Sequence, residues 1–270
     1  MSKKQIDERL LYPVLFSRLK WPSLYVQERA ADSIASLLVD INYSSAVLDH
    51  LFHWIASQQL ESVAVKGILV LLRARILDQT YHGPSLKYLL KIFPKQSLLS
   101  WLLFDAYNPQ INEPLPTSLI NSGKPPSDFL PDPFFEKYIT NFLPPIYDHL
   151  AKQIEQRTSF PFRLQWAFEW KSIVNNYGII PSTGSMNHFW GAEHSGIRYS
   201  PIDTEMSEVY RSAYLRVLAY AVQYGYMEEA ALLLAAKACP IDLELWKMPP
   251  QKRPSWWPNE VTINLQTDNA

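Results

Sequence analysis

A chain of 270 residues that is 47% hydrophobic and 19% charged has the balance of a folded globular protein, which excludes general disorder. Its formal net charge of -1 removes any global pull toward nucleic acid or an anionic membrane. The single cysteine, Cys239, excludes an intramolecular disulfide and zinc sites built on cysteine pairs, and it fits a reducing compartment.

No run of about 18 uncharged apolar residues is present, so no membrane span is expected. Lys3 and Lys4 are not followed by an apolar run, so no secretory signal is expected, and the default localisation is cytoplasmic. Glycine is scarce at 8 residues while proline reaches 21. Folds built on tight β-turns or phosphate-cradling loops need more glycine.

The first ~105 residues read as consecutive helices. Leu10, Leu11, Val14, Leu15 and Leu19 recur at helical spacing, and Trp21-Pro22-Ser23 breaks the pattern and suits a new start. Val26, Ala30, Ile34, Leu37 and Leu38 form a second stripe, ending at the turn Asn42–Ser45. Val47, Leu48, Leu51, Phe52 and Ile55 form a third. Val63 to Ile76 is a fourth helix, apolar enough to be buried on most sides. A shift of ~37 residues places Val26 on Val63, Arg29 on Lys66, Ala30 on Gly67 and Ile34 on Leu71. Such a period marks stacked helix pairs, because one hairpin cannot bury its apolar face alone.

From Asn108 to Pro133 seven prolines interrupt every periodicity. This reads as an extended connector and a domain boundary. Helices resume at Phe134, with Phe135, Ile139 and Phe142, then Ile146, Leu150 and Ile154 beyond Pro144-Pro145. Another starts at Phe160-Pro161 and carries Trp166, Trp170 and Ile173. Tyr177 to Pro201 is irregular and holds four of the eight glycines. Glu208 to Tyr224 and Met227 to Cys239 form a helix pair separated by Gly225. The tail, with Trp246 and Pro254-Ser255-Trp256-Trp257-Pro258, reads as a proline-aromatic strap. The expected division is 1–107 helical repeats, 108–133 connector, 134–258 C-terminal helical domain and 259–270 frayed tail.

The segment Leu11 to Leu38 resembles a HEAT repeat: Pro13 sits in its first helix, Pro22 in the turn, and Val26-Gln27-Glu28-Arg29-Ala30-Ala31 opens the second. The family usually has arginine or lysine directly after that valine, where this chain has Gln27. The resemblance implies an all-α, HEAT-like α-solenoid followed by a second, irregular helical domain. Function in such a fold is recognition over an extended surface. Tyr210–Arg216, Cys239–Trp246 and Pro254–Pro258 also resemble helical regions of large bacterial phage-defence proteins. That likeness implies a sensor or adaptor subunit for an ATPase or nuclease.

Phosphate-binding glycine loops of the G-x-x-x-x-G-K-[ST] and G-x-G-x-x-G types are absent from the sequence. The expectation is therefore a non-catalytic scaffold that holds a protein partner, with no cofactor and no metal. Trp246, Trp256, Trp257, His188 and Arg198 are its interface candidates, because aromatic and arginine side chains make interface anchors. One alternative is a nucleic-acid-binding module: Lys66, Arg73, Arg75, Lys87, Lys91 and Lys95 fall close together with Asp78 the one acid among them. On a ridge they would meet phosphates, with Tyr81, Tyr88 and Phe93 for base stacking. A second alternative is a hydrolase centred on His188, Glu193, His194, Arg198, Tyr199 and Asp203. Its His188-x4-Glu193-His194 spacing matches no helical zinc-protease pattern.

Overall fold

The apolar spacings are realised as helices. The computed structural model describes residues 8–21, 23–93, 98–107, 123–143, 146–181, 201–224 and 226, and no strand occurs among them. In chain order the helices are α1 (Glu8–Ser17), a 3-10 turn at Arg18–Lys20, α2 (Leu24–Val39), α3 (Ser44–Ala56), α4 (Glu61–Leu77) and α5 (Leu86–Ile92). They continue with α6 (Leu98–Tyr107), α7 (Pro133–Phe142), α8 (Ile146–Thr158), α9 (Phe162–Tyr177) and α10 (Pro201–Gln223). The protein is all-α over the described residues, and none of these helices is long and apolar enough to cross a membrane.

Short turns between successive helices force antiparallel hairpins, and the hairpins stack in alternation. α2 packs along α4 and α4 along α6, while α1 packs on α3 and α3 on α5. The result over α1–α6 is two layers, with α2, α4 and α6 in one and α1, α3 and α5 in the other. Gly67 of α4 sets one spacing: a Cβ there would collide with Ile55 of α3, whose Cδ1 would lie at 2.7 Å. Glycine here leaves room for the Ile55 side chain to lie against the α4 backbone.

The even layer does not face solvent along α4. Helix α10 lies against α4 and α6 and also against α7 and α9. In consequence every residue from Glu61 to Ala74 is buried. Aromatic rings fill the second half: Phe135 stacks on Tyr210 at 5.3 Å, and Trp166 meets Tyr214 edge-on at 5.1 Å. The Trp166 indole donates to the Tyr210 carbonyl at 2.9 Å. The buried apolar side chains form one continuous cluster from Tyr12 to Ala221. Helices on the two sides of the expected 108–133 boundary therefore share a core; residues 108–122 of that connector lie outside the described residues.

Three local readings differ from the structure. On and just after α1 the expected apolar stripe is buried only in part: Leu15 packs on the core and Leu19 is buried, but Leu11 and Val14 are about half exposed, while Tyr12 and Phe16 are buried. Both of those rings pack on His50 of α3, at 4.9 and 6.4 Å, so the neighbouring hairpin selects the face. Pro133 belongs to a helix, not to a connector. It occupies the first turn of α7, and Asp132 caps that turn by accepting from the Phe134 amide at 2.9 Å. Helix α10 begins at Pro201, well before Glu208.

Candidate functional site at the α4–α10 seam

Polar residues recur on α10 at Glu208, Arg211, Ser212 and Arg216, spacings of three and four that place them on one helical face. On α4 the facing positions are Glu61, Ser62 and Lys66. The two helices run antiparallel, and their polar residues meet as rungs. Lys66 Nζ lies 2.9 Å from Glu208 Oε1. The Ser62 amide donates to Ser212 Oγ at 3.2 Å, and Ser212 Oγ in turn donates to Ser62 Oγ at 3.0 Å. Arg216 Nε lies 2.8 Å from Glu61 Oε1.

Burial makes these contacts specific. A buried charge without its partner is costly, so each rung fixes the register of one helix on the other. Lys66 also donates to Gln27 Oε1 at 3.1 Å, and Gln27 Nε2 donates to the Trp21 carbonyl at 2.6 Å. Gln27 thus ties α2 and its preceding turn into the seam. Burial opposes the charge on Arg216, but the adjacent Glu61 outweighs it and raises the guanidinium above its ordinary value.

Beside the Lys66–Glu208 rung opens a cleft of about 460 Å³. Leu60, Val63 and Ile179 form its apolar wall. Lys20 and Lys66 stand on the first-half side, Glu205 and Glu208 on α10, and Ser57, Gln58 and Gln59 complete the lining. Glu208 is 4% exposed. Its Oε2 has no hydrogen-bond partner among the described residues.

The expected basic ridge does not form as one surface. Lys66 is 1% exposed and held in the seam. Arg73 is buried between α4 and α2, paired with Glu28 and, at 2.7 Å, with Asp32. The cause is helical geometry: Lys66 and Arg73 are seven residues apart, so both lie on the inward face of a helix covered on all sides. Arg75 is half-buried, with its guanidinium 5.2 Å from the Tyr107 ring. Lys87 and Lys91 are exposed on α5, and Lys95 lies outside the described residues. Of the accompanying rings, Phe93 is buried against Phe104. Tyr81 is half-buried, and burial pushes its hydroxyl up to about 12. Tyr88, though partly exposed, packs on Phe52 at 4.7 Å.

His188, Glu193, His194, Arg198 and Tyr199 lie outside the described residues, as do Cys239, Trp246, Trp256 and Trp257. The backbone of Asp203 falls in the first turn of α10. Among the described residues, no group of three or more His, Cys, Asp or Glu side chains is placed to hold a metal ion. Sequence reasoning missed the seam, although the spacing Glu208, Arg211, Ser212, Arg216 was a readable signal in an otherwise apolar helix.

No protein-family model matches the chain, and no curated protein or solved structure shows significant similarity to it.

Proposed function

We propose that this chain is a non-catalytic, HEAT-like helical scaffold that works by holding another protein. The alternate packing of α2 on α4 on α6 and of α1 on α3 on α5 supports the solenoid reading, because stacked hairpins bury their apolar faces against neighbours in that order. The buried ionisable groups are engaged between helices, as with Lys66 and Glu208, Glu61 and Arg216, and Arg73 and Asp32. A group so engaged is poorly placed to exchange protons with a substrate.

One observation carries the proposal. Lys66 meets Gln27 and Arg73 meets Asp32, so α2 and α4 run parallel and end at the same end of the stack. That end exposes Ile41 at 93%, Leu77 at 58%, Ile76 at 45% and Tyr43 at 36%. Several large apolar side chains exposed at one end of a helical stack are the kind of surface a protein partner covers. The partner class is the one the phage-defence resemblance implies, an ATPase or nuclease subunit of a bacterial defence system, encountered in the cytoplasm.

The test is affinity capture of the tagged full chain from its native cells, followed by mass spectrometry, beside the Ile76→Asp/Leu77→Asp variant. The expected result is one protein retained in stoichiometric amount by the native chain and lost with the variant. Retention of the same protein by both chains would remove the apolar end from the account. Retention of nothing would remove the scaffold.

A further inference from the structure

The join between the two halves of the protein differs in kind from the packing inside each half. Within α1–α6 the hairpins share apolar stripes. Within α7–α10 a layer of rings holds α10 to α7 and α9. Among the described residues no ring of α1–α6 packs on a ring of α7–α10. The α4–α10 seam is instead crossed by polar rungs. Lys66 meets Glu208, Glu61 meets Arg216, and Ser62 meets both Ser212 and, at 3.2 Å, the Glu208 carbonyl.

The two kinds of join respond differently to water. Separating packed rings exposes apolar area, for which water offers no replacement contact. Separating a buried ion pair returns both charges to water, and the solvation regained offsets much of the attraction lost. Three atoms of the ladder sharpen that contrast. Glu61 Oε2, Glu208 Oε2 and Arg216 Nη2 are buried with no hydrogen-bond partner among the described residues, so each gains one on opening. The cleft adds a further feature. Its walls come from both halves, with Lys20, Leu60 and Lys66 on one side and Ile179, Glu205 and Glu208 on the other, so the halves already part at that point. Units joined across a polar interface move relative to each other, whereas a large apolar interface locks them.

We infer that the seam is a conformational latch: α7–α10 parts from α1–α6 as one body along the α4–α10 face, while each half keeps its own packing. Opening also uncovers apolar residues of α4 and breaks the contact of α10 with α6. The closed form is therefore the major one, and the open form is a minor state reached without unfolding. What opening presents to solvent is the polar face of α4, with Glu61, Ser62 and Lys66. The latch belongs to the chain alone and does not depend on the scaffold reading.

Ser62 supplies a native reporter. Its amide lies in the first turn of α4, where an amide has no carbonyl partner in its own helix, and it donates across the seam to Ser212 Oγ at 3.2 Å. Thiol labelling reports on both sides. In a Cys239→Ser background, Ser62→Cys and Ser212→Cys place single cysteines at the seam, and Ala31→Cys and Ala167→Cys place them inside the first and second halves; all four positions are buried. Iodoacetamide labelling of the folded full chain is expected to trap the two seam cysteines at one common rate, about tenfold or more faster than the interior pair. Their labelling should depend weakly on urea, because opening exposes less surface than unfolding. Hydrogen exchange of the unaltered full chain reads the same event without substitution, and the Ser62 amide is expected to share the weak urea dependence. Equal labelling at all four positions would overturn the latch, since the halves would then part only on unfolding. Labelling of Ser212→Cys together with Ala167→Cys, ahead of Ser62→Cys, would overturn it as well, since the second half would then come apart instead of swinging. A Ser62 amide that exchanges only with the urea dependence of global unfolding would overturn it independently of any variant.

Discussion

Lys66 and Glu208 stand 142 residues apart in sequence, yet Lys66 Nζ lies 2.9 Å from Glu208 Oε1 in the interior of the protein. The pair joins the most buried helix of the first half to the longest helix of the second. Removing Lys66 leaves Glu208 buried with only the longer Arg211 contact, at 3.4 Å, whereas removing Glu208 leaves Lys66 and Arg211 buried without their carboxylate. Lys66→Met is therefore expected to cost about 3–5 kcal/mol in urea unfolding, and Lys66→Met/Glu208→Met to cost less than the sum of its two single substitutions. A double variant as unstable as the sum of the singles would contradict the pairing.

Gly67 is predicted to resist even a methyl group. A Cβ at this position meets the Ile55 side chain within van der Waals radii, so Gly67→Ala should destabilise by about 1–3 kcal/mol through overpacking, despite alanine's better helix propensity. In an Ile55→Ala background the same substitution should be neutral or stabilising. Equilibrium unfolding of the four chains measures this coupling.

Asp132 supplies a pH-dependent contribution. The Lys171 ammonium 2.6 Å away and the Phe134 amide hold its carboxyl below the ordinary carboxylate value. A depressed acid stabilises the fold above its unfolded value, near 3.9, and that contribution fades as pH falls through the folded value. Asp132→Asn keeps an oxygen for the α7 cap but loses the charge. Its stability deficit relative to the native chain, roughly 0.2–1 kcal/mol at neutral pH, should shrink at pH values below about 4. A deficit independent of pH would rule out the ionic origin. Asp132→Ala removes the cap as well and should cost about 1 kcal/mol more.

Much of this architecture was legible where a helix repeats its own apolar spacing. The stripes of α2 and α3 bury Ala30, Ile34 and Leu38, and Val47, Leu51 and Ile55, because an amphipathic helix advertises its inner face. Helix α4 was legible for the opposite reason, since apolar residues all round imply cover on all sides. The α1 face was legible only in part, at Leu15 and Leu19, because Tyr12 and Phe16 pack on His50 of another hairpin. The environment of Lys66 was not legible. The ~37-residue shift aligns it with Arg29, which is exposed beside the Tyr25 ring. The difference is α10, which lies against α4, and no local period announces a helix arriving from 142 residues away. The start of α7 was readable but missed: Asp132-Pro133 is a capping residue followed by proline at the first helical position.

Tyr210 anchors α10 to α7. Its hydroxyl donates to the Phe135 carbonyl at 3.2 Å, and burial, with Asp132 and Glu136 nearby, raises its pKa well above the usual phenol range. Tyr210→Phe keeps the ring stack on Phe135 and removes only that donor, so it should lower stability by about 0.5–1.5 kcal/mol without altering near-ultraviolet circular dichroism strongly. Tyr210→Ala removes the ring from the core and should cost about 3–5 kcal/mol. Equal losses from the two substitutions would contradict the aromatic packing.

Light scattering of the chain purified from its native cells bears most directly on the scaffold account. The account predicts a particle whose mass exceeds 31.2 kDa by that of one other protein, collapsing to 31.2 kDa when Ile76 and Leu77 are both changed to aspartate. A native particle of 31.2 kDa, or of an integer multiple of it, would contradict the claim that this chain works by holding a different protein.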